Sequence, residues 1–268
     1  MASRPRPLIA AAVALAVVVL TAGSALVTAM GAESWQLTAP DRSALRFTLL
    51  QAALSAGVSA LLAVPLARAL VRRRFPGRGA LMRLMAAPFL LPTIVAVLGL
   101  LAIFGRSGPV NGLLQAMGLP AFSVFGLHGV VLAHVFLNLP LATRMLVHGW
   151  QAIPAERFRL AQSLGMGPGA QFRHLEWPML RAVLPGAFVL VFLLCLTAFA
   201  VALTLGGGPG ASTIELSIYQ ALRFDFDLGR AALLAAVQFL LCAAVTLAAM
   251  RLAVAEGFGA GLGRALEV

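Results

Sequence analysis

The sequence predicts an all-α integral membrane protein, a bundle of six transmembrane helices, and three observations predict it. Of 268 residues, 61% are hydrophobic and only 11% charged, with a mean hydropathy of +0.96, whereas a soluble domain carries about a quarter charged residues and under half apolar ones. The apolar residues gather in runs of about 20, the length at which a helix crosses roughly 30 Å of hydrocarbon. Arginines punctuate these runs instead of forming one basic surface. A soluble core of this length could not hide so much apolar surface. Soluble enzymes, disulfide scaffolds and disordered chains are therefore excluded. The net charge of +11 comes from 20 arginines, no lysine and nine acids. Their scatter between apolar runs argues against a nucleic-acid partner, which would need a single basic face.

The runs span residues 8–30, 47–67, 84–104, 127–147, 182–205 and 231–250, and the whole chain reads as a single membrane domain, 1–268. Alternating segments of about ten residues, the mark of a barrel, are absent. Arg4 and Arg6 precede the first run and would also suit a signal peptide, but 23 residues exceed the usual apolar region of one. After the second run, RRRFPGRG at 72–79 makes a basic turn at Pro76-Gly77 and reads as an orientation anchor. Residues 107–126 are broken by Pro109, Gly112, Gly118 and Pro120, so they form an outer connection with a short interfacial helix near 110–117. With the N-terminus inside, 15 arginines lie on the inner side and five, Arg42, Arg46, Arg106, Arg223 and Arg230, on the outer. The opposite topology would invert that ratio, so both termini are expected in the cytoplasm. Cys195 and Cys242 sit in apolar runs as small hydrophobes.

The longest polar stretch, 150–181, falls on the cytoplasmic side, and a connection of that length in a compact bundle suggests a task of its own. Pro154 suits a first helical turn, and Glu156 favours the positive end of the helix dipole. Ile153, Leu160, Ala161 and Leu164 fall on one face, with Arg157 and Arg159 elsewhere. Gly165, Gly167, Pro168 and Gly169 end this helix; a second, near 170–177, leads into the fifth run. The segment is built either to be gripped by a cytoplasmic partner or to lie on lipid headgroups.

Ile153-Pro154, then Ala161-x-x-Leu164-Gly165 and the downstream Phe172 resemble the coupling loop of ABC-importer permeases, with Arg159 standing where that family carries an acid. RRRFPGRGALMRL (72–84), LAHVFLNLPLATRML (132–146), EWPMLR (176–181) and LGGGPGASTIELSIYQAL (205–222) narrow the resemblance to the permeases of thiamine/thiamine pyrophosphate importers, of which this chain is similar to the N-terminal six-span half. The resemblance implies a type I importer permease fold in the bacterial inner membrane. It implies coupling through Pro154, Glu156, Arg159, Ala161, Leu164, Gly165 and Gly167 to cytoplasmic ATP-binding subunits. A periplasmic substrate-binding protein and a second permease half, fused or separate, are the other implied partners, with membrane lipid around them.

No HExxH, GxSxG, Walker A or CxxC pattern occurs, so no catalytic residue, metal site or cofactor is expected on this chain, and ATP hydrolysis is expected on another subunit. His134 and Asn138 share one helix face before Pro140, fitting either an interhelical hydrogen bond or a substrate contact. Thr197, Phe199 and Thr204 could line a central path or serve packing. Glycine-rich 205–219 breaks the helix and reads as an outer gate or a re-entrant packing element. Its Glu215 is suited to attract a cation or to pair with Arg223; Tyr219 and Gln220 complete the candidate path. Asp225 and Asp227 are expected as solvated contacts to a binding protein. The rival readings are a permease for ferric iron, sulfate or a similar ligand, an intramembrane enzyme, and a membrane scaffold.

Overall fold

The computed structural model describes residues 36–85 and 87–253, with 15, 16, 19, 23 and 30. The expected first run, 8–30, lies outside the described residues apart from those five. Among the described residues, five apolar helical stretches are long enough to cross a membrane: Ala39–Arg72, Thr93–Ala116, Leu127–Gln151, Pro168–Leu196 and Leu228–Arg251.

Helix α1 (Ala39–Arg72) extends the expected 47–67 run at both ends, because its polar ends are satisfied. Thr38 and Asp41 form a reciprocal cap in which the Asp41 carboxylate accepts the Thr38 N–H at 2.9 Å. A stripe of small residues, among them Ala44, Thr48, Ala52, Ser55, Ser59, Ala63 and Ala67, is buried along one face. Residues three and four apart share a face, and small side chains let membrane helices approach closely. Against this stripe pack α6 and α9, defined below, through Ala142, Leu146, Trp150, Leu180, Val191 and Cys195.

The expected 84–104 run is not one helix. It is divided among α2 (Arg78–Leu84), α3 (Ala87–Leu90) and α4 (Thr93–Phe104). Pro92 supplies no N–H and pushes the residue before it out of helical conformation, a local effect that a sum of hydropathy does not register. Helix α5 (Pro109–Ala116) forms where a short helix near 110–117 is expected, at the end of the Thr93–Ala116 stretch. The buried Asn111 ties its connection together: its side-chain N–H groups donate to the Gly105 and Phe122 carbonyls, both at 2.9 Å, and its Oδ1 accepts the Phe122 N–H at 2.7 Å. Helix α6 (Leu127–Gln151) follows, then α7 (Ala155–Ser163), α8 (Pro168–Gln171), a π-helical turn at Phe172–Glu176, and α9 (Trp177–Leu196).

The fifth run is also broken. Helix α9 stops at Leu196, Thr197 and Ala198 leave helical geometry, and α10 (Phe199–Leu205) starts again. A break at this depth frees carbonyls that water would satisfy in a soluble protein. Here side-chain amides from distant helices do so. Gln51 of α1 donates to the Cys195 carbonyl at 2.9 Å, and Gln238 donates to the Leu196 carbonyl at 3.0 Å. Gln238 belongs to the last helix, α12 (Leu228–Ala253), which follows α11 (Ile214–Gln220) and a π-helical turn at Ala221–Asp225.

The turn between α10 and α11 closes against the start of α6. The Gly126 N–H donates to the Leu205 carbonyl at 2.8 Å, and the Ile214 N–H reaches Thr48 Oγ1 at 2.9 Å. Gly207 has φ of +81°, and a Cβ there would lie 3.1 Å from Phe125 Cβ and 3.2 Å from the Gly126 nitrogen. Left-handed backbone and close approach together require glycine at this point.

Candidate functional site

At the arginine-rich end, α7 projects from the bundle with Pro154 as its N-cap. Gly165 closes it with φ of +69°; its N–H donates to the Gln162 carbonyl at 3.0 Å, and the Met166 N–H donates to the Ala161 carbonyl at 2.9 Å. This double bond pattern is a Schellman cap. The four apolar residues expected on one face separate. Ala161 is buried and Ile153 half-buried, but Leu160 is 61% and Leu164 69% exposed. A lone helix of nine residues turns one face to the bundle, here that of Phe158 and Ala161, and leaves both leucines uncovered. Glu156, Arg159 and Gly167 are exposed as well.

The segment is nevertheless firmly held. Glu176, fully buried, accepts from Arg68 Nε at 2.7 Å and from Arg72 Nη1. Arg72 also donates to Gln171 Oε1 at 3.1 Å, and Gln171 in turn donates to the Met166 carbonyl at 2.9 Å. The Arg68 guanidinium stands over the Phe172 ring and that of Arg72 over the Phe158 ring, 5.3 and 5.2 Å from the centroids. Two arginines on successive turns of α1 thus grip α7 through Phe158 and the following turn through Phe172, Gln171 and Glu176. Arg72, expected as an orientation anchor only, is a structural clamp. None of this contact set is visible from local patterning, since Glu176 lies more than 100 residues from either arginine. The signal that could have found it is the cost of placing an acid directly before an apolar helix.

At membrane depth, Ser55 Oγ lies 3.4 Å from His134 Nδ1, and Asn138 donates to the His134 carbonyl at 2.9 Å and approaches Cys195 Sγ at 3.5 Å. His134 and Asn138 are both buried, tying α6 to α1 and α9. Thr197 and Thr204 bond within their own helical segments, to the Leu193 and Ala200 carbonyls at 3.3 and 2.7 Å. Phe199 and Tyr219 are brought together, with ring centroids 5.2 Å apart. Gln220 lines a cavity of about 360 Å³ with Ser212, Ser217 and Arg230. Glu215 is half-buried and makes no ion pair among the described residues, so the suggested pairing with Arg223 does not form.

The opposite end has its own lock, which sequence reading missed. Arg230 donates to Asp41 Oδ1 at 2.8 and 3.1 Å, joining the first turns of α12 and α1, and reaches Asp225 at 3.4 Å. Asp227 caps the Arg230 N–H at 2.8 Å. Asp225 and Asp227 are exposed, as expected, but both are engaged by Arg230 within the chain.

Five apolar helical stretches long enough to cross the bilayer, with a short helix clamped to α1 beside them, make the chain a multi-pass membrane protein. It belongs to the family of binding-protein-dependent transport system inner membrane components, whose model matches residues 57–255; it is a multi-pass inner-membrane protein of a transport-permease family. The thiamine transport system permease protein ThiP of Salmonella typhimurium is 51% identical over 216 residues, 80% of this chain and 40% of ThiP. The chain therefore spans less than half the length of that relative. The molybdenum transport system permease protein ModB of Azotobacter vinelandii is 32% identical over 182 residues, 68% of this chain and 80% of ModB. A chain from the crystal structure of a bacterial ABC transporter involved in the import of the acidic polysaccharide alginate superimposes with a TM-score of 0.70 at 15% identity, covering 83% of this chain and 82% of that one. That likeness establishes the type I importer bundle.

Proposed function

We propose that the chain forms half of the transmembrane path of an ATP-driven importer and that its ligand is thiamine or thiamine pyrophosphate. The observation that carries the importer reading is the clamped α7 helix with Leu160 and Leu164 exposed one turn apart. An apolar pair on a rigid helix outside the bundle suits the cleft of a partner, here a cytoplasmic ATP-hydrolysing subunit. Closure of that partner would push on α7 and, through Arg68 and Arg72, on α1, giving alternating access without any chemistry on this chain. The 15-to-5 arginine split supports a cytoplasmic position for this end and for both termini. A periplasmic binding protein would then deliver ligand at the end carrying the Asp41–Arg230 lock, and a second permease half, fused or separate, would complete the path. The chain itself would bind no cofactor.

For the ligand, identity to a thiamine permease at 51% exceeds identity to a molybdenum permease at 32%. Physical chemistry leans the same way. Glu215 is the one charged residue of the 205–220 segment and has no ion pair among the described residues. A free carboxylate near the path would attract a thiazolium cation and repel an oxyanion. The test is uptake into vesicles holding the chain with its ATP-hydrolysing subunit and binding protein. Labelled thiamine should accumulate only with ATP on the arginine-rich side, and Glu215→Gln should slow it about tenfold, equivalent to roughly 1.4 kcal/mol. Uptake of molybdate or sulfate in place of thiamine would refute the ligand assignment.

A further inference from the structure

A second basic site lies beside the clamp and is used by nothing described so far. Between the end of α1, α2 and the last turns of α6 is a cavity of about 320 Å³. Its floor is apolar and buried, formed by Leu70, Met85 and Val147, and its rim carries the exposed Arg83, Arg144 and His148. No carboxylate lines it. Among the described residues, neither arginine makes an ion pair, while the buried carboxylates Glu176 and Asp41 are already taken by Arg68, Arg72 and Arg230. Arg83 donates through Nε to the Gly79 carbonyl at 3.3 Å, which ties one edge of its guanidinium, and the side chain is exposed. On the same short helix, Leu81 and Leu84 are exposed on either side of Arg83, the pattern of a helix lying at the lipid interface with its arginine reaching to headgroup level.

We infer that this cavity binds the headgroup of an anionic phospholipid, with the phosphate held between Arg83 and Arg144 and the acyl chains running over the Leu84 side of α2. A forked guanidinium matches phosphate oxygens two at a time, and basic pockets between membrane helices are suited to anionic headgroups. The apolar floor and flanking leucines choose a lipid over free phosphate, because a soluble anion would gain nothing from them. An acidic side chain of a protein partner is the other candidate occupant, and the experiment separates all three.

The chain is purified in mild detergent and titrated with phosphatidylglycerol and phosphatidylcholine under native mass spectrometry. The wild type should retain phosphatidylglycerol preferentially, and Arg83→Gln with Arg144→Gln should erase the preference, at roughly fivefold for each arginine. Arg73→Gln with Arg74→Gln, outside the cavity, should leave it intact. In the wild type, phosphatidylglycerol with a photoreactive headgroup should label the peptides holding residues 83 or 144, a readout that does not depend on any variant folding. Retained preference in the Arg83/Arg144 variant, or labelling elsewhere, would overturn the proposal. Displacement of the lipid by millimolar inorganic phosphate would assign the site to the free anion, and displacement by an added ATP-hydrolysing subunit would assign it to a protein carboxylate; either result also overturns it.

Discussion

Replacing Arg68 and Arg72 together by leucine should destabilise the chain by about 3 kcal/mol and release α7 from α1. The reason is the burial of Glu176, which has no exposure at all and would be left without a cationic partner. An unpaired buried charge costs about 3–5 kcal/mol. The low end applies because the arginines themselves are 39% and 32% exposed, so part of their charge is already solvated. Adding Glu176→Leu to the double variant should restore most of the stability, since a buried ion pair exchanged for apolar groups of similar size is often neutral. It should not restore coupling, because Gln171 loses its Arg72 bond and Phe158 and Phe172 lose the guanidinium groups over their rings. Thermal unfolding in detergent, paired with ligand-stimulated ATP hydrolysis, reads the two effects separately. A triple variant that recovers both would reduce the clamp to a packing element.

Gly165→Leu should abolish coupling while leaving the membrane helices inserted. At φ of +69° a side chain costs roughly 1–2 kcal/mol, and the Schellman cap of α7 would be strained. Among the described residues, however, a Cβ at this position meets nothing within 4 Å. Gly165→Ala therefore adds no crowding at Cβ, and its effect reports the backbone conformation or a partner. Gly165→Asn separates conformation from contact, because asparagine tolerates left-handed backbone at helix ends. If Asn supports coupling and Ala does not, backbone conformation decides; if all three fail, close approach of the partner decides. Arg159→Ala is the internal control, since Arg159 is exposed and makes no ion pair among the described residues. Copurification of the ATP-hydrolysing subunit checks each variant.

These two predictions rest on features of unequal legibility. Gly165 was readable as a helix stop because its freedom at positive φ is a property of the residue itself. The membrane-crossing stretches were readable because apolar length is additive along the chain. The breaks divide in kind. Pro88 and Pro92, which interrupt the 84–104 run, stand in plain view, but an averaged hydropathy passes over them. The break at Thr197 and Ala198 has no glycine or proline to announce it. It persists because Gln51 and Gln238, 144 and 42 residues from the carbonyls they cap, supply bonds that the local segment lacks. The ion pairs follow the same rule. Asp41 and Arg230 are 189 residues apart, and only the folded bundle brings them to 2.8 Å. In a chain with nine acids, each acid inside or beside an apolar run is a prompt to seek its partner; sequence alone names the need but not the arginine that meets it. The exposure of Leu160 and Leu164 was hidden for a different reason, since helical periodicity places residues on a common face without saying whether the bundle covers it.

The most direct test replaces Leu164 by a photoreactive phenylalanine analogue and irradiates the chain in membranes together with the proposed ATP-hydrolysing subunit and binding protein. Leu164 is 69% exposed on a helix held by Arg72 at Phe158, so a probe there samples whatever covers α7 without disturbing the bundle. The predicted result is one adduct, of the size of the ATP-hydrolysing subunit, whose yield changes when ATP is added. An adduct to lipid alone, obtained from vesicles in which ATP-driven uptake still proceeds, would contradict the role of α7 as the dock.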